Sequence, residues 1–223
     1  QEAAESARPY ADRMSAVMGN LAMGVGNSES APKLISGSGS SDVHLLVVAT
    51  AERGLCGGFN SSIVRLAKVH IEKLQKDGST VKIITIGKKG KEQLKREFSD
   101  LIIDHVDLSN VKRVGYDNAK SISEDILSRF EENEFDVCTI FYNEFKSVIS
   151  QIPTALQLIP AVFEDSEDST SDFYEYEPGE NEILMELLPR AMTTNIFTAL
   201  LENGASEQGA RMSAMDNATR NAG

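Results

Sequence analysis

The feature that most constrains this chain is a long C-terminal segment with helical character. Residues 182–223 carry apolar side chains at spacings of three and four, and their single proline, Pro189, is tolerated only near the start of a helix or at a kink. Toward the end of the segment the stripe is made of small or flexible residues: Gly204, Ala205, Gly209, Ala210, Met212, Ala214, Met215 and Ala218. Such a helix can approach another helix closely but cannot bury a core alone, so we expect it to need a partner.

The N-terminal segment supplies a candidate partner. Residues 1–26 are rich in alanine, with Met14, Val17, Met18 and Leu21 at helical spacing. Two helical termini predict an antiparallel coiled-coil pair, formed by residues 1–26 and by the C-terminal helix. Because the helical pattern begins abruptly and without an initiator methionine, and ends as abruptly, we expect both helices to be incomplete.

Residues 42–163 alternate between strand and helix patterns. The apolar run at 45–49 is typical of a strand covered on both faces, and a helical stretch at 61–74 separates it from a second strand at 81–86. The later predicted elements are helices around 92–98 and 122–130 and strands at 101–103 and 137–142. This rhythm predicts an α/β fold with an open, mostly parallel sheet flanked by helices. An extra edge strand is expected at 148–158, because Pro153 would remove a ladder hydrogen bond from a central strand.

Two segments follow neither pattern. Residues 27–41 are rich in serine and glycine, which predicts a flexible connector too polar to pack. Residues 164–181 are predicted to form an acidic loop and a strand. Their acidic run at 164–168 favours a solvated loop over a cation site, because it lacks the glycine and the regular ligand spacing of a calcium loop.

The charge balance restricts the classes of partner. With 22 Lys and Arg against 34 Asp and Glu, the chain has a formal net charge of -12, which argues against binding to nucleic acid or to anionic lipid. No stretch approaches the roughly 20 apolar residues that cross a bilayer, so membrane contact is expected only through protein partners. The two cysteines, Cys56 and Cys138, lack CxxC spacing and are predicted to be reduced thiols.

A glycine-rich segment at 51–60 lies between a predicted strand and a predicted helix, where phosphate-binding loops occur. Its glycines, Gly54, Gly57 and Gly58, match neither GxGxxG nor GxxxxGK[ST]. The pattern favours a structural turn that requires positive φ angles. A free-standing α/β nucleotide-binding enzyme that uses the Gly54–Gly58 turn remains the alternative.

Other catalytic signatures are weak. The three histidines, His44, His70 and His105, fall in different predicted elements without metal-ligand spacing, and no GxSxG nucleophile elbow occurs. We therefore predict no catalytic residue, no metal ligand and no cofactor. A mechanical or scaffolding role is favoured, and a helical adaptor without motor function stays open as a third hypothesis.

Two segments resemble the gamma subunit of F-type (rotary, proton-translocating) ATP synthases. They are residues 52–60, ERGLCGGFN, and residues 202–222, ENGASEQGARMSAMDNATRNA. A softer match is Tyr176, Glu177 and Pro178 before a leucine-rich helix. The order and spacing of all three agree with the family, so the resemblance covers essentially the whole chain.

The resemblance implies a Rossmann-like α/β domain beside an antiparallel coiled coil that acts as a central-stalk rotor. Such a subunit couples proton flow through the membrane c ring to ATP synthesis or hydrolysis at catalytic beta subunits, and it is itself not an enzyme. The implied partners are the alpha and beta subunits, the epsilon subunit and the c ring. The acidic charge and the absence of the cysteine pair of chloroplast relatives favour the cytoplasmic face of a bacterial inner membrane over a plastid, with the mitochondrial matrix face as the alternative.

The resemblance also implies roles for individual residues. Contact with the alpha/beta ring is expected of Ser206, Glu207, Arg211, Asp216 and Arg220. Contact with the c ring or epsilon is expected of Tyr174, Tyr176 and Glu177. A structural turn is expected of Arg53, Gly54, Gly57 and Gly58. Glu207 and Arg211 are four residues apart, so an ion pair within the helix is an equally good interpretation for them.

Overall fold

A computed structural model describes residues 1–25, 31–163 and 179–222. In chain order the elements are α1 (Glu2–Val25), α2 (Lys33–Ser36), β1 (Val43–Ala49), α3 (Phe59–Lys76), β2 (Thr80–Ile86), α4 (Lys88–Phe98), β3 (Ile102–Val106), α5 (Tyr116–Glu131), β4 (Val137–Ser147), β5 (Ser150–Ile159) and α6 (Glu180–Ala222). No helix within these residues has both the length and the apolar character needed to span a bilayer.

The strands form one five-stranded sheet in the order β3-β2-β1-β4-β5. The first four strands are parallel, and β5 pairs antiparallel with β4 at the edge. In the centre of the sheet, Val47 of β1 lies opposite Ile84 on one side and Ile140 on the other. The predicted α/β fold and the predicted edge strand are both confirmed, with Pro153 in β5, where only one side of the strand needs a ladder partner.

Strand β1 is buried on both faces because helices cover both sides of the sheet. Alternate β1 residues such as Leu45 and Val47 pack against α5 and α6, whereas Leu46 and Val48 pack against α3 and α4. The continuous apolar run of β1 follows from this double cover, since a strand with one solvated face would alternate in polarity.

The terminal helices lie side by side and antiparallel. Near the end of α1, Met18 packs in one apolar cluster with Leu184 and Leu188 of α6. Near its start, Ala4 packs in another cluster with Ala205, which is further along α6. The predicted pairing of the two termini is therefore confirmed, and Ala4 and Ala205 share their cluster with Phe145 of β4.

The structure refines two details of α6. Pro189 lies inside the helix, in its third turn, and the hydroxyl of Thr193 donates a hydrogen bond to the Pro189 carbonyl. Gly209 packs against the turn between β4 and β5 rather than against a helix. A methyl group at this position would lie 3.2 Å from the Cα and the carbonyl oxygen of Val148.

One prediction needs a correction. Part of the segment predicted as a connector too polar to pack forms the short helix α2, and Leu34 and Ile35 pack against the Met18 cluster of α1 and α6. Leu34 and Ile35 stabilise this short helix although the neighbouring residues are polar, because burying their apolar surface against the cluster is favourable. The flexibility of the rest of residues 27–41 stays a prediction. The acidic run and the residues Tyr174, Tyr176 and Glu177 lie outside the described residues.

Candidate functional site

The candidate site lies at the carboxyl ends of strands β1 and β4. The connection that leaves β1 runs to β2 on one side, while β4 lies on the other side, so this is the point where the strand order reverses. In doubly wound α/β folds, ligands bind in the crevice at such a switch point. Here helix α6 crosses the crevice, with residues 192–200 in the core beside α5 and Ala210 in the core beside α3.

Asn203 of α6 joins the ends of the two strands. Its side-chain Nδ2 donates to the carbonyl of Ala49, the last residue of β1, at 3.1 Å. Its Oδ1 accepts from the backbone N–H of Asn143 in β4 at 3.0 Å. Since β1 ends at Ala49 and β4 continues, these backbone groups would otherwise be buried without a partner.

Two further polar residues of α6 continue this pairing along β4. Ser206 donates to the carbonyl of Asn143 at 3.0 Å, and Glu202 accepts from the N–H of Phe145 at 2.9 Å. Both side chains are buried, with 0% exposure for Ser206 and 3% for Glu202. Helix α6 therefore satisfies three successive polar groups of β4, as a neighbouring strand would.

Helix α1 is tied into the same network through Arg8. The Arg8 guanidinium binds Glu202 with two nitrogens and donates a further 2.7 Å bond to the carbonyl of Phe145. The hydrogen bond to Glu202 raises the pKa of Arg8, and the pair neutralises a carboxylate that is otherwise enclosed by protein. One side chain thus connects α1, α6 and the sheet.

Asn143 connects the network to the opposite face of the sheet. Its Nδ2 donates to the Phe59 carbonyl and to the Ser62 hydroxyl of α3, each at 3.2 Å. Next to it, burial and the charges of Glu144 and Glu202 raise the pKa of Tyr142 to about 12. We call this set, Arg8, Asn143, Glu202, Asn203 and Ser206, the joint.

The glycine-rich segment packs against the same helix just beyond the joint. Arg211 donates to the carbonyl of Gly54 at 2.7 Å and forms an ion pair with Glu207, also at 2.7 Å. Gly57 adopts a φ of 57°, as the turn interpretation expects, but the other residue with positive φ is Leu55, at 61°. The Leu55 side chain is 89% exposed.

Asn60 and Cys56 hold the inside of this turn. Asn60 accepts from the N–H of Ala51 at 2.8 Å and donates to the Cys56 sulfur at 3.3 Å. Burial raises the pKa of the Cys56 thiol and of the Cys138 thiol. Both cysteines are free in the structure, and burial disfavours their reactive thiolate form.

The structure separates the residues that were predicted to contact the alpha/beta ring. Ser206 has no exposed surface and bonds to β4, so its expected role as an interface residue is wrong: a side chain enclosed within its own chain cannot reach a partner. Glu207 and Arg211 form the predicted pair within the helix and are about one-quarter exposed. Asp216 and Arg220 form a second, exposed pair at 3.0 Å.

Three residues of the joint stand out in the sequence pattern of α6. Glu202, Asn203 and Ser206 are polar residues that fall within the apolar stripe of α6, where polar groups must find buried partners. Their partners Arg8 and Asn143 lie far away in sequence and carry no pattern of their own. Among the residues that the structure describes, no group of three His, Cys, Asp or Glu side chains is placed to hold a metal ion.

Comparisons with known proteins agree on one family. The family model described as ATP synthase matches residues 1–223. The ATP synthase gamma chain of Jannaschia sp. (strain CCS1) is 68% identical, with 100% of this chain aligned to 77% of the relative. The ATP synthase gamma chain of Paracoccus denitrificans (strain Pd 1222) is 63% identical with the same coverage.

Solved structures agree on the fold. The central stalk and c-ring structure of the Tetrahymena thermophila mitochondrial ATP synthase contains a chain with a TM-score of 0.64 and 24% identity, covering 97% of this chain and 99% of that one. The rotor of the Euglena gracilis mitochondrial ATP synthase contains a chain with a TM-score of 0.60 and 16% identity, covering 99% and 87%. The full-length family match and the close curated relatives establish that this chain belongs to the ATP synthase gamma-chain family.

Proposed function

We propose that this gamma chain is the rotor shaft that couples proton flow to ATP synthesis or hydrolysis, and that torque passes between its α/β domain and its helix pair through the joint. The observation that carries the proposal is the network in which half-buried Arg8 of α1 and the buried Glu202, Asn203 and Ser206 of α6 bond to one another or to the sheet. The solved relatives are components of a central stalk and of a rotor, and this chain shares their fold.

The physical requirement of a rotor is that free energy passes in both directions. A surface that favours one conformation of a catalytic partner is itself favoured by that conformation to the same degree. A shaft that slipped against its domain would lose this reciprocity. A joint of buried, geometrically specific hydrogen bonds resists such slippage better than a purely apolar contact, because sliding would leave polar groups without partners.

The alternative of a free-standing nucleotide-binding enzyme has less support. In a doubly wound enzyme the crevice at the switch point is open for a ligand, whereas here α6 occupies it and bonds to Ala49 and Asn143. The Gly54 carbonyl already accepts a hydrogen bond from Arg211. We therefore propose that the chain is non-catalytic and that ATP chemistry takes place on partner subunits.

The exposed end of α6 is the proposed contact surface for the alpha and beta subunits. Met212 and Met215 are 60% and 64% exposed, and the Asp216–Arg220 pair lies beside them on the same helix. Exposed methionines on a polar helix suit a partner surface that changes shape. We also propose that Tyr174, Tyr176 and Glu177 contact epsilon and the c ring, and that the complex lies on the cytoplasmic face of a bacterial inner membrane.

The test is ATP hydrolysis by an alpha/beta hexamer from the same source, with and without the full-length chain. We expect the chain to co-purify with the hexamer and change its turnover, while the chain alone hydrolyses no ATP. A chain that stays separate from the hexamer, or that hydrolyses ATP unaided, would overturn the proposal. Direct binding to epsilon and to c-ring preparations would test the remaining partners separately.

A further inference from the structure

A cavity of about 690 Å³ adjoins the joint at the carboxyl ends of β1 and β2. One wall is formed by α6 and the start of α1, and the opposite wall by the loop 108–114 and by residues 50–53. The volume is that of a site for a small organic ligand. It lies on the β2 side of β1, apart from the switch point between β1 and β4 that α6 covers.

The charge around this cavity is positive. Arg53, Lys112 and Arg113 line it and are exposed, and their side chains have no hydrogen-bond or ion-pair partner within residues 1–25, 31–163 and 179–222. They come from two separate loops, so no single helix face explains their convergence. In a chain with a formal net charge of -12, three uncompensated cations around one cavity attract an anion with several charges.

The carboxylates in the same walls are already occupied. Glu52 accepts hydrogen bonds from the backbone N–H of Lys88 at 3.1 Å and of Leu108 at 2.8 Å. Glu207 is paired with Arg211. Neither acid forms an ion pair with Arg53, Lys112 or Arg113 within the described residues, and with Arg211 the basic side chains of the lining outnumber these two acids.

An apolar cavity of about 480 Å³ continues from this one. The two share Ala3, Arg113, Val114 and Leu201 in their walls, and Phe197 lines the second. Phe197 itself packs edge-on against Tyr116, with ring centroids 5.8 Å apart. The combined site offers cations at one end and aliphatic and aromatic surface at the other.

We propose that this cleft binds a nucleoside di- or triphosphate without catalysis. The phosphates lie between Arg53, Lys112 and Arg113, where guanidinium groups match phosphate geometry. The base lies against Val114, Leu201 and Phe197. Since the walls belong both to the helix pair and to the domain, the bound nucleotide bridges the two bodies beside the joint.

The test measures binding to the full-length chain by titration calorimetry with ATP, pyrophosphate and adenosine. We expect ATP to bind with a Kd of about 0.1–1 mM and pyrophosphate about tenfold more weakly, with adenosine showing no saturation in this range. The double variant Lys112→Gln/Arg113→Gln should weaken ATP binding at least about tenfold. The matched control Lys95→Gln/Arg96→Gln removes one lysine and one arginine that are exposed on α4, away from the cleft, and should leave binding unchanged.

Four results would overturn the proposal. The first is no saturable ATP binding up to about 5 mM, well above the expected Kd. The second is an equal loss of binding in the control variant, since that indicates general charge attraction. The third is ATP binding no tighter than pyrophosphate, and the fourth is displacement of ATP by a glutamate-rich peptide at equal concentration, because either removes the nucleotide specificity. None of these results bears on assembly with the alpha/beta hexamer, which tests the rotor proposal.

Discussion

Replacing Asn203 with alanine removes the amide that ties helix α6 to the ends of β1 and β4. The substitution deletes the bonds to the Ala49 carbonyl and the Asn143 N–H. Alanine is a good helix former, so α6 itself is not weakened. The loss therefore reports on the joint rather than on the helix.

The expected loss of unfolding free energy follows from the two backbone groups that lose their hydrogen-bond partner. The Asn143 N–H becomes a buried donor without a partner, which costs about 1–3 kcal/mol. The Ala49 carbonyl loses its hydrogen bond from Asn203, which costs about a further 1 kcal/mol. The removed amide also leaves a small void in a site where Asn203 is only 6% exposed. We expect the free energy of unfolding to fall by about 2–4 kcal/mol.

The assay is urea unfolding of the full-length chain, followed by circular dichroism, with Asn203→Ala compared with Asn217→Ala. Asn217 lies on the same helix but is exposed and outside the joint, so its replacement should change the free energy of unfolding by less than about 0.5 kcal/mol. If Asn203→Ala costs no more than Asn217→Ala, the hydrogen bonds of Asn203 do not stabilise the joint and the reasoning fails.

Three further predictions concern the same region. Arg8→Met should destabilise the fold by about 1–3 kcal/mol because it leaves the Glu202 carboxylate unpaired. In a double-mutant cycle with Glu202→Gln, the losses of unfolding free energy of the two single variants should not add, and additive losses in urea unfolding would contradict this pairing. Gly209→Ala should destabilise the fold by about 1–3 kcal/mol, since the added methyl group would lie 3.2 Å from the β4–β5 turn. Gly204→Ala, with no atom within 4 Å of the added methyl group, should stabilise it by about 0.5–1 kcal/mol, and thermal melts that show equal stability for the two variants would contradict this prediction. Because the pKa of Tyr142 is raised in the folded state, its hydroxyl stays neutral there while the hydroxyl of the unfolded chain ionises, so the free energy of unfolding should decline as pH rises from about 10 to about 12. Tyr142→Phe should make this decline smaller when unfolding is measured across that pH range.

The sequence predicted the layers of this protein because those depend on local periodicity. The apolar run at 45–49 belongs to a strand covered on both faces, and Pro153 lies in an edge strand, as expected. Strand β4 runs further than predicted, to Ser147, because its last residues alternate in polarity and are held by the antiparallel partner β5 rather than by a second parallel strand. The length of a strand depends on pairing with its neighbour, and the local sequence alone does not show where that pairing ends.

The joint was not predicted because its hydrogen bonds connect residues far apart in sequence. Ser206 illustrates the limit: the helical signature around it is informative about the family, but its position on the buried or exposed side depends on where α6 meets β4. The turn at Leu55 illustrates another: positive φ was expected at glycines, yet Leu55 adopts it while Gly58 does not. Tertiary contacts such as the one from Arg211 to Gly54 select that conformation.

If rotation passes through the joint, weakening the joint should change the ratio of protons pumped to ATP hydrolysed. The measurement uses membrane vesicles that carry the assembled ATP synthase with the wild-type chain, with Asn203→Ala or with Lys95→Gln, a control that is exposed on α4, outside the joint and outside the proposed alpha/beta contact surface. We expect Asn203→Ala to lower the number of protons pumped per ATP hydrolysed while hydrolysis continues, and Lys95→Gln to leave the ratio at the wild-type value. An unchanged ratio for Asn203→Ala, in a chain shown by urea unfolding to be destabilised, would contradict this role of the joint.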